Sequence, residues 1–214
     1  MKNRRYTYLI LVISWMCFVI GCCMTAAYLN VSSQYQTQTT ETVQAMQVQG
    51  QNRESAREEK VILASAEHFM ESYYQNLRDG NRTRLIQMVE DPDSFYSDAE
   101  LRKIKAYVEN YQDFQYDIER TSEEDEYILF IFYKTKLYDA DTAVPGMAQY
   151  YIVRNNDQWV ICNNTEHLSE TARKELKASL RLREVKQLIE KTNTQYQKAI
   201  ASDEFLREYF EEQE

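Results

Sequence analysis

Cysteine and histidine are scarce in this 214-residue chain, and their positions exclude two kinds of stabilisation. Three of the four cysteines fall within the first 29 residues, which leaves Cys162 alone in the rest of the chain. No second cysteine is present in residues 30–214 to form a disulfide with Cys162. We therefore expect an ordinary apolar core, with Cys162 as a packed, unreactive thiol. His68 and His167 lie far apart in sequence and give no metal-ligand spacing, so we expect neither a metal nor a cofactor.

Basic residues are outnumbered as well, since 25 Lys and Arg face 34 Asp and Glu, for a formal net charge of −9. The first 29 residues carry three basic and no acidic side chains, so the remaining chain has a net charge of −12. A protein that binds nucleic-acid phosphates needs a basic face, so we expect no nucleic-acid partner. The acidic balance also argues against flat adsorption on an anionic membrane surface.

Charged residues are absent from positions 6–29, an almost unbroken apolar run that follows three basic residues within positions 1–5. At 1.5 Å per residue, ~24 helical residues span the ~30 Å hydrocarbon core of a bilayer. No further Lys or Arg occurs before Arg53, and this asymmetry favours a cytoplasmic N-terminus. The sequence predicts a single-pass protein of the cell membrane whose C-terminal domain is extracytoplasmic.

Two processing alternatives to this uncleaved anchor are open. Thr25-Ala26-Ala27 is a mediocre cleavage site, and the apolar run is longer than that of an ordinary secretory signal. Val19-Ile20-Gly21-Cys22 resembles a bacterial lipobox, in which Cys22 is lipidated and becomes the mature N-terminus. Lipoproteins usually turn polar after that cysteine, whereas here the apolar run continues to Ala27. The uncleaved anchor and the lipoprotein would both hold the rest of the chain at the outer membrane surface.

Residues 30–58 are predicted to be a polar tether rich in Gln, Thr and Ser. The folded domain, residues 59–163, begins with a helix whose apolar residues recur every three or four positions and which ends at Gly80. A short second helix and a third helix follow, the third capped by Ser97 or Asp98 and carrying an apolar stripe that reaches Tyr111.

Strands follow these helices, because the spacing of apolar residues changes to two near Phe114. Four strands are expected, at about Phe114–Glu119, Tyr127–Tyr138, Met147–Arg154 and Gln158–Asn163. Three N-terminal helices followed by an antiparallel meander predict an α+β domain in which the helices pack on a curved sheet of about four strands.

This order of elements resembles the nuclear transport factor 2-like superfamily of cystatin-like, cone-shaped domains. The resemblance rests on the three helices, the sheet and the closing strand Asn156-Asp157-Gln158-Trp159-Val160-Ile161. It implies a short strand after the second helix, which is faintly present at Phe95-Tyr96. Membrane-anchored domains of this type occur outside the membrane in bacterial conjugation and type IV secretion machinery and in penicillin-binding proteins. The resemblance therefore implies a bitopic component of such an assembly.

Enzymes of this superfamily pair a carboxylate base with a Tyr or protonated acid in an apolar pocket. Tyr73 and Tyr74 on the first helix are the candidate cavity hydroxyls, but the strand from Tyr127 to Lys136 contains no acid to pair with them. With 17 tyrosines in the chain, a core or rim aromatic is the plainer interpretation. We expect a non-catalytic protein, with a cavity enzyme or small-ligand carrier as the alternative.

The strand at Tyr127–Tyr138 is apolar on both faces through Phe132, whereas a strand with one face in water alternates with polar residues. The N-terminal helices can cover only one face. The face of Ile128, Phe130 and Phe132 must be covered by the C-terminal helix, by a second copy or by another protein. This requirement predicts a binding or scaffold role with a protein partner or a homo-oligomer.

Residues 164–214 are predicted to form a C-terminal helical extension with an acidic tail and with weak points at Thr192-Asn193-Thr194 and Ser202-Asp203. We expect this helix to cover the second face of the sheet through three leucines, Leu176, Leu180 and Leu188. The segment beyond about Thr194 is expected to project from the domain towards a partner.

Overall fold

The computed structural model describes residues 45–156 and 158–211, with side chains for residues 57–156 and 158–208. The predicted membrane segment 6–29, with Cys22, lies outside this part of the chain. No helix within it is both long and apolar enough to cross a membrane. The described chain is an α+β structure in which helices pack on both faces of a four-stranded antiparallel sheet.

The first helix, α1 (Ala45–Asp79), begins well before the start predicted near Glu59. Residues 45–58 are therefore helical. The Ala, Met, Gln, Arg and Glu residues in this stretch favour a helix, and the helix continues through Gly50, which disfavours it. The described side chains before Ile62 are exposed. The end of α1 is confirmed at Gly80, whose φ of 65° suits the left-handed turn that closes a helix.

Two short helices follow, α2 (Arg82–Leu85) and α3 (Asp98–Tyr107). Ser97 caps α3 in a capping box with Glu100, which selects Ser97 from the two predicted caps. The predicted stripe was wrong at its end, because Val108 and Tyr111 are buried residues of the first strand. Pairing with the neighbouring strand decides their conformation against the helical spacing.

The sheet follows the chain order, so the predicted antiparallel meander is confirmed. Its strands are β1 (Val108–Arg120), β2 (Glu126–Leu137), β3 (Val144–Asn155) and β4 (Gln158–Ile161). β1 carries an irregularity between Gln112 and Gln115, where Asp113 has a φ of 57° and the register with β2 shifts. Five consecutive residues of β2, 127–131, are at most 3% exposed, so both faces of this strand are covered.

The short strand predicted at Phe95-Tyr96 was wrong. Val89 forms an isolated parallel bridge to Ile161 instead. The Glu90 amide donates to the Ile161 carbonyl and the Ile161 amide donates to the Met88 carbonyl, both at 2.9 Å. The chain after α2 thus pairs with the outer edge of β4, while Phe95 and Tyr96 pack beside the core as loop side chains.

The C-terminal extension is divided into α4 (Glu170–Ser179), α5 (Arg183–Ser202) and α6 (Glu204–Glu211). The weak point predicted at Ser202-Asp203 is confirmed. The one predicted at 192–194 was wrong, because these residues lie within α5 and the Thr194 hydroxyl donates to the Glu190 carbonyl at 2.8 Å. The break at 180–182, between α4 and α5, was not predicted.

The prediction that the chain projects beyond Thr194 was also wrong. Leu206 on α6 is 0% exposed and belongs to the main core, together with residues of α1 and the sheet. Asp203 is 4% exposed and accepts a hydrogen bond from the Thr142 amide at 2.7 Å. The C-terminal chain therefore covers one face of the sheet with α4 and α5 and returns to the other face through α6.

The buried position of Leu206 generates a stability prediction. Leu206→Ala should lower the free energy of unfolding by about 2–5 kcal/mol, because it leaves a cavity in the main core. Leu182→Ala is the matched control, since Leu182 is 42% exposed and should change stability by no more than about 0.5 kcal/mol. Denaturant unfolding of the full chain measures both; equal, small effects would contradict the packing of α6.

Candidate functional site

An aromatic cluster occupies the interior between α1 and the sheet. Tyr73 and Tyr74 are adjacent on α1 and only 4% and 2% exposed, because the sheet and the loop before α3 enclose them. The Tyr74 hydroxyl lies 2.9 Å from the Tyr150 hydroxyl of β3. Ring centroids within the cluster lie 5.0–6.5 Å apart, mostly edge to face or tilted, for Tyr73, Tyr74, Phe95, Tyr111, Phe114, Tyr133 and Tyr150.

The electrostatics of this cluster keep its hydroxyls neutral. Burial raises the pKa of Tyr73 and Tyr74 well above the ordinary value, and the neighbouring groups that raise it further are other tyrosines. Burial likewise raises the pKa of Tyr150. General acid–base catalysis requires a side chain that can exchange a proton near the working pH, within hydrogen-bond reach of the reacting atom. The two cavity candidates therefore lie in a packed aromatic interior that consists of rings and neutral hydroxyls.

The second face of the sheet is covered by the chain itself. Ile128 and Phe130 are 3% and 0% exposed and form a second core with α4 and α5. Leu176 and Leu180 pack at its margin, as does Phe132. Gln149 of β3 fixes α4 on this face, because its amide donates to the Leu176 carbonyl at 2.9 Å and to the Ser179 hydroxyl at 2.8 Å.

Leu188 lies elsewhere, in a solvent-open groove of about 400 Å³ between α5 and the sheet. Residues at the β1 irregularity, on β2, at the start of β3 and on α5 line it: Asp113, Phe114, Gln115, Phe132, Tyr133, Lys134, Pro145, Gly146, Leu188, Lys191, Thr192 and Gln195. Asp113 and Lys134 form an ion pair at 2.7 Å across β1 and β2. The groove can hold an apolar side chain beside Phe132 and Leu188, with polar groups at its rim.

Sequence reasoning missed this groove because it depends on a local departure from regular structure. The irregularity at Asp113 shifts the register of β1 relative to β2, and the alternation of apolar and polar residues in the sequence does not indicate such a shift. Gly146 is the residue in the sequence that could have indicated the groove, because a Cβ at this position would lie 3.1 Å from the Tyr133 ring. A glycine within a strand often marks such a close approach.

Cys162 lies beside Glu90 and near a group of polar side chains at the end of β4. Burial raises the pKa of the Cys162 thiol to about 12, and the charge and hydrogen bond of Glu90 add to this effect. His167 Nδ1 lies 3.5 Å from Glu90 Oε1, so cysteine, histidine and carboxylate groups meet here. Within the described residues, no set of three or more His, Cys, Asp or Glu side chains is placed to hold a metal ion.

The neighbouring Asp91 joins the loop after α2 to the end of β4. Its backbone amide donates to Asn163 Oδ1 at 2.9 Å, and Asn163 Nδ2 donates to the Asp91 carbonyl at 2.7 Å. Hydrogen bonds from Ser94 and Asn164 lower the pKa of the Asp91 carboxyl to about 2. These contacts are structural, because each polar group is paired with another part of the chain.

Comparisons with known proteins add no assignment to this geometry. The chain matches no model of a known protein family, and no curated protein matches it significantly.

The environment of Cys162 predicts a thiol that reacts slowly with labelling reagents. With a pKa of about 12, labelling at pH 8 should be on the order of a thousandfold slower than for a free cysteine, because the thiolate is the reactive form. Glu90→Gln removes the neighbouring charge and should accelerate labelling, while burial still slows it. Glu166→Gln, at an exposed position, is the control and should leave the rate unchanged. Mass spectrometry of the labelled peptides distinguishes Cys162 from the other cysteines. Rapid labelling of Cys162 in the native protein would contradict this environment.

Proposed function

We propose that this protein is a single-pass membrane protein that holds a non-catalytic binding or scaffold domain outside the cell membrane. The uncharged run 6–29 with basic residues before it supports the anchor and its orientation. The order of three helices and an antiparallel meander supports a domain of the cone type, and with it a place in a cell-envelope or conjugation and secretion assembly.

The observation that carries the non-catalytic part of the proposal is the aromatic interior. A cavity enzyme must leave room for a reacting atom between an acid–base pair and an apolar wall. Here the rings of Tyr73, Tyr74 and Tyr150 contact one another in that position, and Tyr74 and Tyr150 share a hydroxyl contact. The alternative, a cavity enzyme or small-ligand carrier, would require these rings to separate and a carboxylate to enter.

The shape of the chain supports a domain held away from the bilayer. The helix α1 begins at Ala45, and the first of its described side chains to be buried is Ile62. The segment before Ile62 measures about 25 Å at 1.5 Å per residue. A helical spacer of this length positions a binding surface more rigidly than a polar coil would.

The groove beside α5 is the surface that we assign to the partner. Helices α4 and α5 close the second face of the sheet, so Ile128 and Phe130, which the sequence predicts to need a cover, are not accessible to a partner. Leu188, Phe132 and Lys191 line the groove. Within the described part of the chain, Lys191 forms no ion pair. This combination suits a protein segment that places an apolar side chain next to a carboxylate.

Topology is the first test of this proposal. Protease added to intact cells or protoplasts should degrade residues 59–214, because the charge asymmetry places them outside the membrane. A cytoplasmic protein in the same cells is the control for membrane integrity. Full protection of the domain, with degradation only after lysis, would overturn the orientation.

Partner contact at the groove is the second test. A photo-crosslinking residue at position 195, on the groove rim, should give a discrete protein adduct in intact membranes, whereas one at position 174, on the exposed surface of α4, should not. Lys191→Glu should reduce the adduct at least tenfold through charge repulsion, and Lys198→Glu, outside the groove lining, should leave it unchanged. Equal adducts from positions 195 and 174, or no adduct from either, would contradict the assignment of the groove as the partner-binding surface.

A further inference from the structure

The helical chain breaks between α5 and α6, at the Ser202-Asp203 weak point that the sequence predicts. A single residue, Asp203, separates the two helices. Residues 183–211 contain no glycine and no proline, which are the usual causes of a helix break. A helix that continued straight through this segment would be about 43 Å long. The break is held by the local cap that Asp203 gives to α6 and by contacts with the rest of the domain.

Asp203 supplies the first of these contacts. Its backbone is extended, with φ −125° and ψ 121°, and its carboxylate accepts hydrogen bonds from the Thr142 amide at 2.7 Å and the Leu206 amide at 3.1 Å. Burial by itself would raise the pKa of Asp203, but the hydrogen bonds from backbone amides outweigh it and hold the pKa below its ordinary value. Asp203 thus starts α6 and ties it to the loop between β2 and β3.

Leu206 supplies the second contact, because it is completely buried in the main core and Phe205 packs beside it. The eight residues of α6 are too few to form a stable helix in isolation. Its conformation therefore depends on this docking, whereas α5 is fixed separately by Val185 in the second core. A short element with its own docking position, joined to the domain by one residue, has the requirements for exchange between identical chains.

We propose that α6 exchanges between two copies of this chain: α5 and α6 straighten into one helix, and the Leu206 of each copy packs into the core of the other. The exchanged dimer keeps the packing of α6 and removes the bend. A one-residue hinge favours exchange, because it gives α6 little freedom to fold back on its own domain. The membrane anchoring proposed above would concentrate the copies, but the exchange itself does not depend on the identity of any partner.

Hinge variants of the full chain in detergent micelles test this proposal. Asp203→Ala removes the cap that holds the bend and favours a continuous helix, so it should lower the dimer dissociation constant at least tenfold. Glu204→Ala, at the neighbouring exposed position, is the matched control and should leave that constant unchanged. Insertion of Gly-Ser-Gly-Ser between Ser202 and Asp203 keeps every buried side chain but lets α6 fold back, so it should abolish the dimer.

Light scattering gives the protein mass of each variant, and co-purification of two differently tagged copies measures their association. A dimer that persists unchanged in the insertion variant is held by another surface, such as the membrane segment, and overturns the proposal. A monomeric Asp203→Ala chain at all accessible concentrations overturns it as well. Neither result bears on the adduct at position 195, so exchange and partner binding can fail independently.

Discussion

The central strand β2 sets the constraint on which the rest of the architecture depends. Five successive residues from Tyr127 to Ile131 are buried, and successive side chains of a strand point to opposite faces. Such a strand is stable only when both faces are removed from water, since each large apolar side chain contributes about 1.5–3 kcal/mol when fully buried. Helix α1 meets this requirement on one face, and α4 and α5 meet it on the other.

The two faces of the sheet are covered in chemically different ways. The first face carries interlocked tyrosines, among which Tyr74 and Tyr150 share a hydroxyl contact. The second face carries Ile128 and Phe130 beneath aliphatic residues of α4 and α5. Gln149 adds a hydrogen bond from its amide to the Leu176 carbonyl on α4. Side chains of the chain itself form the core on each face.

Three departures from the sequence-based expectations share one origin. Tyr111 follows helical spacing but pairs with Thr135 in the sheet, and Leu206 lies in a segment rich in charge but packs in the main core. In both cases a contact distant in sequence outweighs the local pattern. Val89 shows the same effect, because its bridge to Ile161 replaces the strand expected at Phe95-Tyr96.

The sequence by itself determined the α+β class, the order of the strands and the need for a second cover on β2, because apolar periodicity reports directly which faces are buried. It also determined the end of α1, since only a glycine adopts the φ of 65° at position 80 without strain. The groove, the docking of α6 and the pairing of tyrosine hydroxyls were decided by tertiary structure alone. Each of these depends on the relative placement of segments far apart in the chain, and local propensity carries no information about that placement.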